Sequence, residues 1–138
     1  MPFIRTAIRK GTSDAVKEAI VHGIHRALVE AINMPDDELF NLVEEFDDNS
    51  FYFSRTFNGH SRSDGVVVVE ITLRRGRSDA MKRDLYAAIA RNLGQHAAVK
   101  PADIFIFMHE NDYSDWSVGG GIFAMTLVQQ RGNEQLSK

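Results

Sequence analysis

The sequence predicts an α/β (α+β) fold built from a tandem βαβ repeat, four strands in one sheet with two helices on one face. Three observations carry this. The run Ile8-Arg9-Lys10-Gly11-Thr12-Ser13-Asp14-Ala15-Val16-Lys17 returns as Leu73-Arg74-Arg75-Gly76-Arg77-Ser78-Asp79-Ala80-Met81-Lys82, and Pro35 of the first copy recurs as Pro101 of the second. Each copy reads as strand, glycine turn, capped helix, proline, strand. A crossover of that length joins parallel strands with a right-handed connection, and two such units join edge to edge.

The elements follow in order. Pro2 to about Ile8 alternates apolar and polar residues as a short strand, with Pro2 confined to an end or edge because its ring nitrogen has no N–H inside a peptide. Gly11 turns the chain, Ser13 caps a helix, and Asp14 places a carboxylate at the positive end of its dipole. Val16, Ile20, Ile24, Leu28 and Ile32 recur every four residues and form its apolar face. Pro35 ends it near Asn33 or Met34. Leu39 to Phe46 is the returning strand.

The second copy repeats the plan. Phe51 to Gly65 spreads its aromatic residues among polar ones and is compatible with a hairpin or a structured loop. Val66 to Leu73 is the clearest strand, its consecutive valines suggesting burial on both faces. Ser78 caps a second helix striped by Met81, Leu85, Ala88, Ile89 and Leu93, and Pro101 precedes the fourth strand, Ile104 to Met108. Residues 1–138 are therefore one expected domain: repeat one at about 2–46, a hairpin or loop at about 47–65, repeat two at about 66–110, and a C-terminal segment at 111–138. With both helices on one face of the sheet, the other face calls for cover by association.

Composition narrows the partners. The chain has 138 residues and a net charge of −3, which lacks the concentrated basic surface that counterion release from nucleic acid or an anionic membrane requires. No apolar run approaches the length of a bilayer span, and Val66 to Val69 is broken at once by Glu70. Without a signal-like amino terminus, the expected location is the cytoplasm. There is no cysteine, hence no thiolate ligand or nucleophile. His22 and His25 fall on the polar side of the first helix and His60, His96 and His109 stand alone, so no spacing points to a metal. Gly119-Gly120-Gly121 lacks the lysine and hydroxyl residue of a phosphate loop.

The duplicated unit, Pro2 after the initiator methionine, and Gly76-Arg77-Ser78-Asp79 between strand and helix together resemble the tautomerase superfamily, the 4-oxalocrotonate tautomerase-like proteins. Length, duplication and Asp115-Trp116-Ser117-Val118-Gly119 are similar to the branch containing malonate semialdehyde decarboxylase. The resemblance covers roughly residues 2 to 125. It implies a tautomerase/MIF-like fold, a homotrimer, no cofactor, and a small oxo-acid substrate bearing a carboxylate.

It also assigns residues. Removal of Met1 would expose the secondary amine of Pro2, a base when neutral and an acid when cationic. Arg75 and Arg77, one residue apart across Gly76, would grip the carboxylate with planar donor pairs. The bland alternative for them is a solvated turn pairing with Asp14 or Asp79. The branch places an aspartate after the helix-ending proline; here that column holds Glu38, with Asp36 and Asp37 just before it, so Asp37 and Glu38 are the candidate carboxylates. Trp116 matches an aromatic wall, and Val118 stands where the branch has phenylalanine.

Three functional readings remain. One is a tautomerase or isomerase in which neutral Pro2 shuttles a proton between carbon and oxygen. Another is a decarboxylase or hydratase, a carbon-carbon lyase, in which cationic Pro2 polarises a carbonyl with help near Glu38. The third is a non-catalytic small-acid-binding homologue.

Overall fold

The computed structural model describes residues 2–126. Six main elements follow in chain order: strand β1 (Phe3–Arg9), helix α1 (Asp14–Ile32), strand β2 (Asn41–Phe46), strand β3 (Val67–Arg74), helix α2 (Asp79–Ala97) and strand β4 (Ile104–Asn111). The strands form one sheet in the order β2-β1-β3-β4. Pairing is parallel within each repeat and antiparallel where β1 meets β3.

The two helices begin and end alike. Ser13 accepts a hydrogen bond from the Val16 amide and Ser78 one from the Met81 amide, each 3.2 Å. This satisfies an amide that the first turn leaves without a helical partner. Each helix closes on a left-handed residue, Asn33 and Ala98, both with φ of 54°. Asparagine tolerates that conformation and alanine resists it, so the repeat's geometry overrides local preference at Ala98.

The core lies between the helices and one face of the sheet. Ile4 and Ile8 of β1 and Val67, Val69, Ile71 and Leu73 of β3 meet Ile24 and Leu28 of α1 and Leu85, Ile89 and Leu93 of α2. The helices approach closely at Gly23, where an added Cβ would stand 3.0 Å from a Leu93 methyl. Asn92 donates there to the Gly23 carbonyl at 3.0 Å.

β3 is not buried on both faces, as its valines suggested. Its residues alternate between buried and half-buried, because both helices lie on one side. The other face carries Phe105 and Phe107 of β4, both exposed, and a contact of 3.1 Å between His109 and Glu70. Residues 47–65 form a loop with two short 3₁₀ turns and no strand. Its ring Phe51 packs tilted against Phe46 and meets Phe53 edge to face, and Arg9 binds both Asp48 and Asp64, pinning the loop to the end of β1. His25 is buried beneath the α1–β2 turn and not on the polar side of α1, while His22 is exposed. Of the C-terminal segment, residues 127–138 fall outside the described part, as does Met1.

Candidate active site

Strand pairing decides where the candidate residues meet. Phe3 pairs with Thr72 across the antiparallel junction, so Pro2 stands beside the outgoing end of β3, just before the arginine turn. On its other flank the Ile4 amide donates to the Phe40 carbonyl at 2.9 Å, which brings the α1–β2 turn alongside. β4 runs parallel to β3 until Arg74 pairs with Asn111, and the Arg75 amide donates to the Asn111 carbonyl at 2.7 Å. One end of the sheet thus collects Pro2, the acidic turn, the arginine turn and the segment after β4.

A cleft of about 440 Å³ opens there, lined by Pro2, Asp37, Glu38, Phe40, Trp116 and Val118 among others. Pro2 is buried, Glu38 half-buried and Asp37 exposed. The acidic turn is closed by the Glu38 amide on the Pro35 carbonyl and the Leu39 amide on the Asp37 carbonyl, both 3.1 Å. Trp116 is fixed at both ends of its residue. Its indole N–H donates to Asn111 Oδ1 at 2.6 Å, and its carbonyl accepts from the Ala124 amide at 3.1 Å. An apolar wall with few polar groups aimed into it is the usual character of a small-molecule site.

The two arginines are unequal. Gly76, at φ of 122°, makes a turn that a side chain would strain. Arg75 is exposed, and its Nε stands 3.3 Å from Asp112 Oδ1, not beside Asp14 or Asp79. Arg77 is half-buried and donates to the Arg74 carbonyl at 3.1 Å. Burial, then the neighbouring Arg74 charge, lower its pKa from the ordinary arginine value, while Tyr113 and Glu38 oppose that shift. Neither arginine lines the cleft itself, but Arg77 is coupled by charge to Glu38, which does.

Sequence reasoning missed Asn111, which anchors both Arg75 and Trp116, and Phe40, which lines the cleft along with Trp116. The parallel register of β3 and β4 is the signal that would have nominated Asn111. Among the described residues no group of three or more His, Asp or Glu side chains is placed to hold a metal ion. No described helix is long and apolar enough to cross a membrane.

Two family models described as tautomerase enzyme match the chain, one over residues 38–119 and the other over 2–57. The probable tautomerase YusQ of Bacillus subtilis (strain 168) is 29% identical over 121 residues, covering 88% of this chain and 95% of its own. Among solved structures, FG41 malonate semialdehyde decarboxylase inhibited by 3-bromopropiolate is 29% identical with a TM-score of 0.85, covering 93% of this chain and 96% of that one. A second malonate semialdehyde decarboxylase, described with decarboxylase and hydratase activities, is 25% identical with the same TM-score of 0.85, covering 93% and 98%.

Proposed function

Because the chain belongs to the tautomerase family, we propose that it is a cofactor-independent tautomerase in which Pro2, freed by removal of Met1, moves a proton on a small oxo acid. The observation that carries this reading is the convergence of buried Pro2, the acidic turn and Trp116 on one cleft beside the arginine turn. Neutral Pro2 takes a proton from the enol oxygen or the α-carbon and returns it at the other position. The negative charge that passes through the enolate is met by Arg77 and, nearer solvent, Arg75. Glu38 and Asp37 orient the amine and the departing proton, and Trp116, with Phe40, excludes water.

One observation favours a second reading. Both Asp37 and Glu38 line the cleft with Pro2, and malonate semialdehyde decarboxylases are among the similar structures. There cationic Pro2 would polarise the 3-oxo group while the carbon-carbon bond to the carboxylate breaks, its electron pair passing into an enolate that is then protonated. Both readings use the carboxylates beside Pro2, to orient a neutral amine in the first and to assist a cationic one in the second, so they divide on the protonation state of Pro2.

The experiment is turnover of Met1-free protein on phenylenolpyruvate, a hydroxymuconate and malonate semialdehyde, with intact mass establishing that Met1 is gone. Ketonisation with little release of carbon dioxide upholds the tautomerase, and carbon dioxide release from malonate semialdehyde upholds the second reading. Persistent Met1 with small-acid binding and no turnover would instead leave a binding protein. The reading includes a homotrimer, supported by exposed Leu42, Phe105 and Phe107 on the sheet face away from the helices. Sedimentation as a monomer would remove that part.

A further inference from the structure

The acidic turn is tied to α1 by two consecutive residues. His25 Nε2 lies 2.8 Å from the Asp36 carbonyl oxygen, and Arg26 Nη1 lies 3.2 Å from the Asp36 carboxylate. A carbonyl only accepts, so Nε2 carries the hydrogen and donates. Nδ1 is buried and has no hydrogen-bond partner among the described residues. A leucine or phenylalanine would fill this place without an unpaired polar atom, so what the imidazole adds is its hold on Asp36, a bond to the carbonyl with the carboxylate 3.5 Å from the same nitrogen.

That bond reaches the residue just before the two carboxylates of the cleft. The turn's own bonds, from the Glu38 and Leu39 amides, set its shape. The bond from His25 sets where that shape stands against the helix, and hence against Pro2. The second repeat makes the contrast. With Ser13 aligned on Ser78 and Pro35 on Pro101, His25 corresponds to Ala90, Asp36 to Ala102, and Asp37 to Asp103. Asp103 is buried, and it is held by the Ser63 amide and hydroxyl, with no described helix side chain tethering its turn. The tether exists only in the copy that displays its carboxylates.

We propose that His25 is a positioning residue for the reaction: its Nε2–H holds the Asp36 backbone and so fixes Asp37 and Glu38 at their working distance from Pro2. The inference rests on the reading that this turn takes part in turnover. A displacement of about 1 Å in a reacting group costs on the order of 100-fold in rate. The arginines that grip substrate are on another turn and are untouched.

The test replaces His25 by Phe, which keeps the ring volume and removes the donor, and by Gln, whose amide N–H reaches a similar point. His25→Phe is expected to lower kcat by about 10- to 100-fold with KM changed less than about threefold, and His25→Gln to recover kcat to within about threefold of the parent protein. If His25→Phe fails to fold, His25→Asn takes its place, since it keeps polarity but falls short of the carbonyl. Hydrogen exchange of the amides at residues 36–39 is expected to accelerate in the variant lacking the donor, while protection in α2 stays unchanged. Equal loss in the Phe and Gln variants, a kcat within twofold of the parent in His25→Phe, or unchanged exchange at 36–39 overturns the proposal. Parental turnover in both Asp37→Asn and Glu38→Gln strikes the turn's role in the reaction itself, and overturns His25's kinetic role with it. The exchange measurement then shows separately whether the tether holds.

Discussion

The two ends of the sheet share one backbone plan and opposite chemistry. At one end Pro2 leads into β1 beside Arg75 and Arg77; at the other Val67 opens β3 beside Lys10 and Thr12. The Val67 end holds a smaller cavity of about 210 Å³, lined by Thr12, Lys100 and Asp103 among others. Three charged groups at this end are already engaged. Asp103 takes both donors of Ser63, Lys10 faces Asp47 at 3.5 Å, and Arg9 binds Asp48 and Asp64. The loop of residues 47–65 supplies nearly all of those partners, whereas the Pro2 end keeps an exposed Asp37 and an arginine turn near solvent. Duplication supplies two equivalent corners, and what separates them is that the Pro2 corner keeps an exposed carboxylate, Asp37, on the cleft of the proposed prolyl base, while the Val67 corner ties its buried carboxylate, Asp103, to the 47–65 loop.

The comparison breaks most directly at its first residue of each copy. Pro2→Ala in the Met1-free protein should lower kcat by about 10²- to 10⁴-fold, the range for losing a positioned general base, as measured by ketonisation of an enol substrate. Val67→Ala should leave kcat within about twofold and lower stability by about 1 kcal/mol, measured by urea unfolding. Equal kinetic effects at both ends would erase the distinction.

The arginine turn sharpens it next. Arg77→Ala is expected to lower kcat/KM by about 10²- to 10³-fold, the scale for removing a donor to developing negative charge, and Arg75→Ala by about tenfold, since Arg75 is exposed beside Asp112. Arg77→Lys should recover little, because an ammonium lacks the planar fork. At the closed end, Ser63→Ala removes a hydroxyl from the buried Asp103 carboxylate and should cost about 1–3 kcal/mol in unfolding free energy with turnover unchanged.

The smallest effect is one of pH. Hydrogen bonds from Arg55 first and Arg9 second hold the Asp64 carboxyl below its ordinary value of 3.8. A carboxylate whose folded value is depressed contributes stability that is fully present above its unfolded value and is lost as pH falls through the folded one. The urea midpoints of the parent and Asp64→Asn proteins should therefore differ near neutrality and converge below about pH 4, while a constant gap would show that the clamp on the 47–65 loop is not ionic.

Much of this was legible in the chain. The repeated Gly-x-Ser-Asp turns specified both helix starts, and the four-residue apolar spacing specified which helix faces meet the sheet, because capping and periodicity are local properties. The gathering of Pro2, the acidic turn and Trp116 came from resemblance and is explained physically by the antiparallel β1–β3 junction, which no local pattern encodes. The same nonlocality hid His25. Its place on the helical wheel looked polar, and only the chain returning through Pro35 to Glu38 covers it. The valine run misled for the converse reason: strand hydrophobicity does not reveal whether one or both faces receive helices. Arg75 and Arg77 look equivalent in sequence, and they part because Gly76 turns one toward solvent and the other toward the body of the protein.

If chemistry resides at the Pro2 end with the prolyl amine acting as a base, turnover must depend on that amine being neutral. The pH dependence of kcat/KM for Met1-free protein on phenylenolpyruvate tests it most directly. With Pro2 as the base, activity is expected to rise as one group deprotonates at or below neutrality, reach a plateau, and be lost in Pro2→Ala. Activity that is flat through neutrality and falls only as a group deprotonates at alkaline pH would contradict it, making Pro2 an acid.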